Sequence, residues 1–175
     1  MVQLGYFLWL MVALFAVMGF IRGSVKEMIA LAGIVGALFL LEQTGDMILS
    51  PLIGSAPLDQ QFYVYLAILG IITFFAYQTP SYLDAGKDVS DAREGLQEGL
   101  LGATIGGVNA YLLFGSLWFY MDTLHYPLSP LIMAPPLDSP SAEIINSLPL
   151  VWMLEGNLLP LVMIVLFLVL IILIF

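Results

Sequence analysis

"GFIRGSVKE", Gly19–Glu27, lies between two long apolar runs and holds two of the four Lys and Arg residues in a chain with thirteen carboxylates. Its reading decides the fold. Ser24 followed three residues later by Glu27 has the spacing of a capping box, in which each side chain satisfies an unpaired backbone N–H at a helix start. Gly23 just before it suits the left-handed backbone that ends a preceding helix. The stretch therefore predicts a tight stop and restart between two helices, with Arg22 and Lys26 held at the junction.

What flanks this turn fixes the class. Of 175 residues, 61% are hydrophobic and 10% charged, with a positive mean hydropathy, too little polar surface to cover a water-soluble domain of this size. Five apolar runs stand near 4–21, 25–43, 62–78, 100–121 and 158–175. A hydrocarbon core of about 30 Å needs about 20 helical residues, and the second run reaches that length only with its flanks Val25–Glu27 and Glu42–Gln43 included. The expectation is an all-α polytopic transmembrane bundle, residues 1–175 forming a single domain with five spans and a long loop at 122–157. The first run lacks the basic start and small-residue cleavage site of a secretory signal and is expected to stay as a helix.

Lys and Arg are retained on the cytoplasmic side during insertion, so the four cations orient the bundle. Arg22 and Lys26 lie between runs one and two, Lys87 and Arg93 between runs three and four. Both connections are expected to be cytoplasmic. The N-terminus and the 122–157 loop then lie outside and the C-terminus inside. The outer segments carry Glu42, Asp46, Asp59, Asp122, Asp138, Glu143 and Glu155 without any Lys or Arg. Pro80 is expected to end the third run, and Ser90 or Asp91 to cap the helix leading into the fourth.

In hydrocarbon, helices associate where small residues let their backbones approach. Gly95, Gly99, Gly102, Gly106 and Asn109 recur at spacings of four and three, which at about 100° per residue places them within an arc of roughly 80°. Ala30, Gly33 and Ala37 form a shorter stripe on the second run, the expected partner of the first stripe. Asn109 is the most polar group deep in the bundle and is expected to donate to a neighbouring helix. In the long loop, Ser139 and Pro140 predict the start of a short helix, and Trp152 suits a membrane interface.

Two segments carry a family resemblance. "GFIRGSVKEMIALAGIVGALF" resembles the first-helix exit and second helix of the colicin V production protein family, and "DAREGLQEGLLGATIGGVNAYLLFG" is similar to that family's Gly-rich entry into its fourth helix. The resemblance covers roughly residues 5–122. It implies a small bacterial inner-membrane protein of about four spans with no established chemical activity and no catalytic residues to carry over. The outer loop and fifth run depart from the pattern.

Chemistry is scarce in the sequence. Cysteine is absent and His125 is the only histidine, so no thiolate site or Ser–His or Cys–His pair is available. His125 reads as a polar residue at the outer interface, with an axial haem or pigment ligand as the sharper alternative. The glycines at 102–107 follow no strand and are not a nucleotide loop. No catalytic or metal residue and no cofactor is expected. The expected partners are membrane lipids and other integral membrane subunits, not nucleic acid. The function expected is that of a non-catalytic accessory, assembly or scaffolding subunit of a secretion, respiratory or photosynthetic complex. The alternative is a small-solute channel or transporter-like protein working as an oligomer.

Overall fold

A computed structural model describes residues 3–78 and 92–174, and all regular structure in them is helical. The elements are α1 (Leu4–Arg22), α2 (Ser24–Thr44), a π-helical turn (Gly45–Leu49), α3 (Ser50–Ile53), α4 (Leu58–Tyr77), α5 (Ala92–Thr123), α6 (Pro140–Ile145), α7 (Pro149–Glu155) and α8 (Leu159–Ile174). Each apolar run has become a helix. Lys87, Pro80, Ser90 and Asp91 lie outside the described residues, so the anchor, the helix end and the cap expected of them do too.

Four helices, α1, α2, α4 and α5, are long and apolar enough to cross a membrane. The fifth run is a shorter case. Its α8 has 16 residues, about 24 Å of helix, and reaches spanning length only together with Pro140–Glu155 across an 80° bend. At 32 residues, about 48 Å, α5 is longer than a hydrocarbon core is thick, because its helix starts at Ala92 rather than near Leu100. The outward faces of α1, α4 and α8 present Trp9, Val17, Ile21, Phe74, Phe75, Ile164 and Ile172, a surface suited to hydrocarbon rather than water.

α2 is the central helix. It packs against α4, α5 and α8, and buries Ala30, Ile34, Val35, Ala37, Leu38 and Leu41. α1 instead lies along α5, where the glycine stripe is spent. A β-carbon on Gly102 would overlap the carbonyl oxygen of Gly19, and one on Gly106 would overlap that of Phe15. The Phe20 ring covers Gly99, while Gly95 is half-buried. The expected pairing of this stripe with α2 is therefore corrected: its partner is α1, and Gly33 of α2 meets Ala76 of α4. The reason is steric. The inward side of α2 carries Ile34, Leu38 and Leu41, which hold backbones apart, whereas Gly19 on α1 brings a second bare backbone to the contact.

The α1–α2 turn also differs from the expected capping box. Gly23 adopts φ 84° and ψ 163°, a combination reserved for glycine, and occupies the N-cap position of α2 itself. Ser24 is thus the first helical residue. Its N–H and Oγ both donate to Glu98 Oε1 of α5, at 3.0 and 2.8 Å, so the cap comes from another helix and Glu27 is released from capping.

The segment after α5 folds back on the bundle. Ser139 caps α6 by accepting from the Ala142 N–H at 3.3 Å, with Pro140 in the first turn as expected. The Gly5 N–H, unpaired at the start of α1, donates to Ser141 Oγ at 3.2 Å. The Tyr111 hydroxyl donates to the Ser147 carbonyl, and Pro149 of α7 seats on Gly115. Trp118 Nε1 donates to the Tyr126 hydroxyl at 3.0 Å, and burial pushes the Tyr126 phenol up to about 12, which keeps it protonated.

The glycine contacts predict stability changes of opposite sign. Gly102→Leu and Gly19→Leu should each force α1 from α5 and destabilise the bundle by about 1–3 kcal/mol, as overpacking does. Gly36 has nothing within 4 Å of its β position, so Gly36→Ala should be neutral or stabilise by up to about 1 kcal/mol. Thermal unfolding in detergent reads both. An unchanged midpoint for Gly102→Leu would show that the α1–α5 contact does not support the fold.

Candidate functional site

Among the described residues, the most concentrated polar chemistry surrounds a carboxylate that sequence reading assigned to a helix cap. Glu27, in the first turn of α2, is 1% exposed. Burying an ionised carboxylate costs several kcal/mol unless donors replace its water. Three side chains do so. Arg22 Nη1, at the end of α1, donates to Oε1 at 2.5 Å. The Tyr77 hydroxyl, at the end of α4, donates to Oε2 at 3.1 Å, and Asn109 Nδ2 of α5 donates to the same oxygen at 2.8 Å. One residue thus gathers four helices.

Each donor is itself held. Asn109 Nδ2 donates a second bond to the Glu27 backbone carbonyl at 3.0 Å, and two acceptors on one side fix which way the amide faces. Asn109 sits at one edge of the glycine stripe, so the glycines face α1 while the amide reaches α2, and the expected donation to a neighbouring helix is present. Arg22 Nη2 donates to the Tyr77 carbonyl at 3.0 Å, one of the carbonyls left unpaired at a helix end, where a cation is also favoured by the helix dipole. Its guanidinium lies over the Tyr77 ring, 4.4 Å from the centroid. Phe15 packs edge-on against both Tyr77 and Phe114 and closes the apolar wall around the group. Arg22, expected as a surface anchor, is turned into the bundle with its side chain 20% exposed. Lys26 remains half-buried beside it and Arg93 exposed at the start of α5.

A second polar site stands at the opposite end of α2, 15 residues and about 22 Å of helix from Glu27. The Tyr120 hydroxyl of α5 donates to Glu42 Oε1 at 2.9 Å, and the Tyr65 ring of α4 stacks on Tyr120 at 4.6 Å with 8° between planes. The π-helical turn widens the backbone here and leaves a cavity of about 340 Å³ against these side chains.

Sequence reading found Asn109 but neither carboxylate site. The signal for the first was Arg22 five residues before Glu27 across a glycine, next to an amide deep in another run. The second joins residues 78 apart and left no local signal. His125, just past α5, is exposed at φ 56° and belongs to neither site. Among the described residues no three His, Cys, Asp or Glu side chains converge as a metal site.

The first site behaves as a clamp, and the pairing of charges predicts strong coupling. Arg22→Leu leaves a buried carboxylate without its cation and should destabilise the bundle by about 3–5 kcal/mol, while the double variant Arg22→Leu/Glu27→Leu should recover much of that loss. Chemical unfolding of the four proteins in detergent measures the coupling. Strictly additive losses would show that the two side chains act separately.

No family model matches this chain, and neither a curated protein nor a solved structure matches it.

Proposed function

We propose that this chain is a non-catalytic integral membrane protein of the bacterial inner membrane. In this reading it serves as an accessory, assembly or scaffolding subunit of a larger membrane complex of the secretory, respiratory or photosynthetic kind. The observation that carries it is the segment between α5 and α8. This segment is folded onto the bundle through Ser141, Ser147 and Pro149, yet it holds out Leu131 at 85% and Leu137 at 93% exposure. Aliphatic side chains fixed in that way on a bundle end suit a second protein or the membrane interface better than water. The Glu27 clamp supports the reading by spending a fully buried ionic group on rigidity.

The resemblance of residues 5–122 to the colicin V production family belongs to the same proposal. So does the five-span topology with the N-terminus outside, the C-terminus cytoplasmic and Arg22, Lys26, Lys87 and Arg93 as its anchors. The second reading, a channel or transporter-like oligomer for small solutes, is favoured by the polar cavity at Glu42.

Two measurements test the proposal. Native purification in mild detergent should bring a defined integral membrane partner at fixed stoichiometry, which Leu131→Glu/Leu137→Glu should release without lowering the unfolding midpoint. A chain that migrates alone and confers solute flux on proteoliposomes would favour the second reading instead. For topology, single cysteines placed at Ser90 and Leu137 of this thiol-free chain should react with an impermeant reagent from opposite sides of the membrane. Labelling of both on intact cells would overturn the orientation.

A further inference from the structure

The segment that follows α5 joins exposed apolar side chains to charge of one sign. Residues 122–157 hold Asp122, Asp138, Glu143 and Glu155, and the sequence has no Lys or Arg from residue 94 to residue 175. Asp138, Glu143 and Glu155 are exposed. Arg93 stands at the other end of α5, and the helix from Arg93 to Thr123 is about 45 Å long. Arg22 is about 25 Å along α1 from Gly5, which bonds Ser141, and Lys26 lies in the same turn as Arg22. Charges in physiological salt are screened over about 8 Å, so the acids at this end are offset by none of Arg22, Lys26 and Arg93.

The backbone here is prepared for contact. The N–H groups of Leu131 and Ile132 donate to the Leu128 carbonyl at 2.9 and 3.2 Å, and that of Ser139 donates to the Pro136 carbonyl at 2.9 Å. Between these ties residues 133–136 form neither helix nor turn, and among the described residues the Met133 and Ala134 N–H groups have no backbone partner. Pro135 and Pro136 fix their own φ and restrict the residue before each. A segment stiffened in this way loses less entropy on being held by a partner than an unconstrained loop does. It carries the exposed Leu131, Met133 and Leu137, with Asp138 next to Leu137 in the chain.

We propose that residues 131–143 dock a second protein whose facing surface is an apolar groove rimmed by Lys or Arg. Leu131 and Leu137 fill the groove, and Asp138 and Glu143 meet the rim. This names the partner's chemistry for the accessory-subunit reading and rests on that reading. Charge selects this occupant over two others. A second copy of this chain would set the same carboxylates against one another, and anionic lipid headgroups would repel them. A basic protein surface with an apolar centre satisfies the leucines and the acids together.

Photo-crosslinking from Met133→benzoylphenylalanine, between the two leucines, tests this in intact cells and in isolated membranes. Irradiation should give one protein adduct of defined mass, whose crosslinked surface carries Lys or Arg beside apolar residues. Raising NaCl from about 50 to about 500 mM before irradiation of membranes should lower the adduct yield at least about threefold. Asp138→Asn/Glu143→Gln should do the same at low salt, and Leu131→Ser/Leu137→Ser should lower the yield as well. Glu94→Gln, an exposed carboxylate at the other end of α5, should leave it unchanged. Unfolding midpoints equal to the parent's keep the comparison on folded chains; should the double carboxylate variant fail to fold, Asp138→Asn and the salt series carry the test. An adduct of the chain with itself, lipid adducts alone, no adduct, or a protein adduct indifferent to salt and to the carboxylates each overturns the proposal. A partner that still co-purifies in any of these cases leaves the accessory-subunit reading standing, whereas a chain that also purifies alone removes both.

Discussion

A carboxylate shut away from water sets the terms on which this bundle can close. Glu27 needs donors from all sides, and it obtains them from the ends of α1 and α4 and the middle of α5. An ion pair of this kind adds little net stability compared with a well-packed apolar group, because desolvation offsets most of the attraction. What it does impose is a penalty on every arrangement in which Arg22, Tyr77 or Asn109 is elsewhere. Apolar helices in hydrocarbon have few reasons to prefer one neighbour over another, and a buried ionic group supplies such a reason. The bare-backbone contact of Gly19 with Gly102 then fixes how near α1 can come, and so whether Arg22 reaches Glu27.

The chain has few cations, and its inward carboxylates are met in different ways. Glu27 accepts from Arg22, Tyr77 and Asn109, Glu98 from Ser24 and Glu42 from Tyr120, so hydroxyl and amide donors act beside the few cations. This distribution makes the two ends of α2 chemically unlike. One end is closed around an ion pair, the other opens on a cavity where a carboxylate accepts from a phenol.

The helices were legible because a run of apolar residues reports its own length without reference to anything else. The glycine stripe was legible for the same reason, since its phase is a local property of α5. Its partner was not: small residues mark a surface for close approach without naming the helix that comes, and Gly33 on α2 offered as good a match in sequence as Gly19 on α1. Glu27 was misread because Ser24 at the right spacing satisfied a local rule, while the residue that caps α2, Glu98, lies 74 positions away. Asn109 was found through a requirement rather than a pattern, the need of a buried amide for a partner. The Glu42 cavity depends on the π-helical turn and on side chains from α2, α3, α4 and α5, and no single stretch of sequence contains it.

The spacing of the clamp along the chain bears on the order in which it is completed. Arg22 and Glu27 are five residues apart, so a nascent hairpin of α1 and α2 already holds both members of the ion pair. Tyr77 and Asn109 follow 50 and 82 residues after Glu27, and Ser141 reaches Gly5 only after 136. A hairpin that pairs its own carboxylate carries a lower desolvation cost than a helix with a lone buried acid. Tyr77 and Asn109 add a hydroxyl and an amide donor from far along the chain to a charge whose cation lies within the first turn between helices.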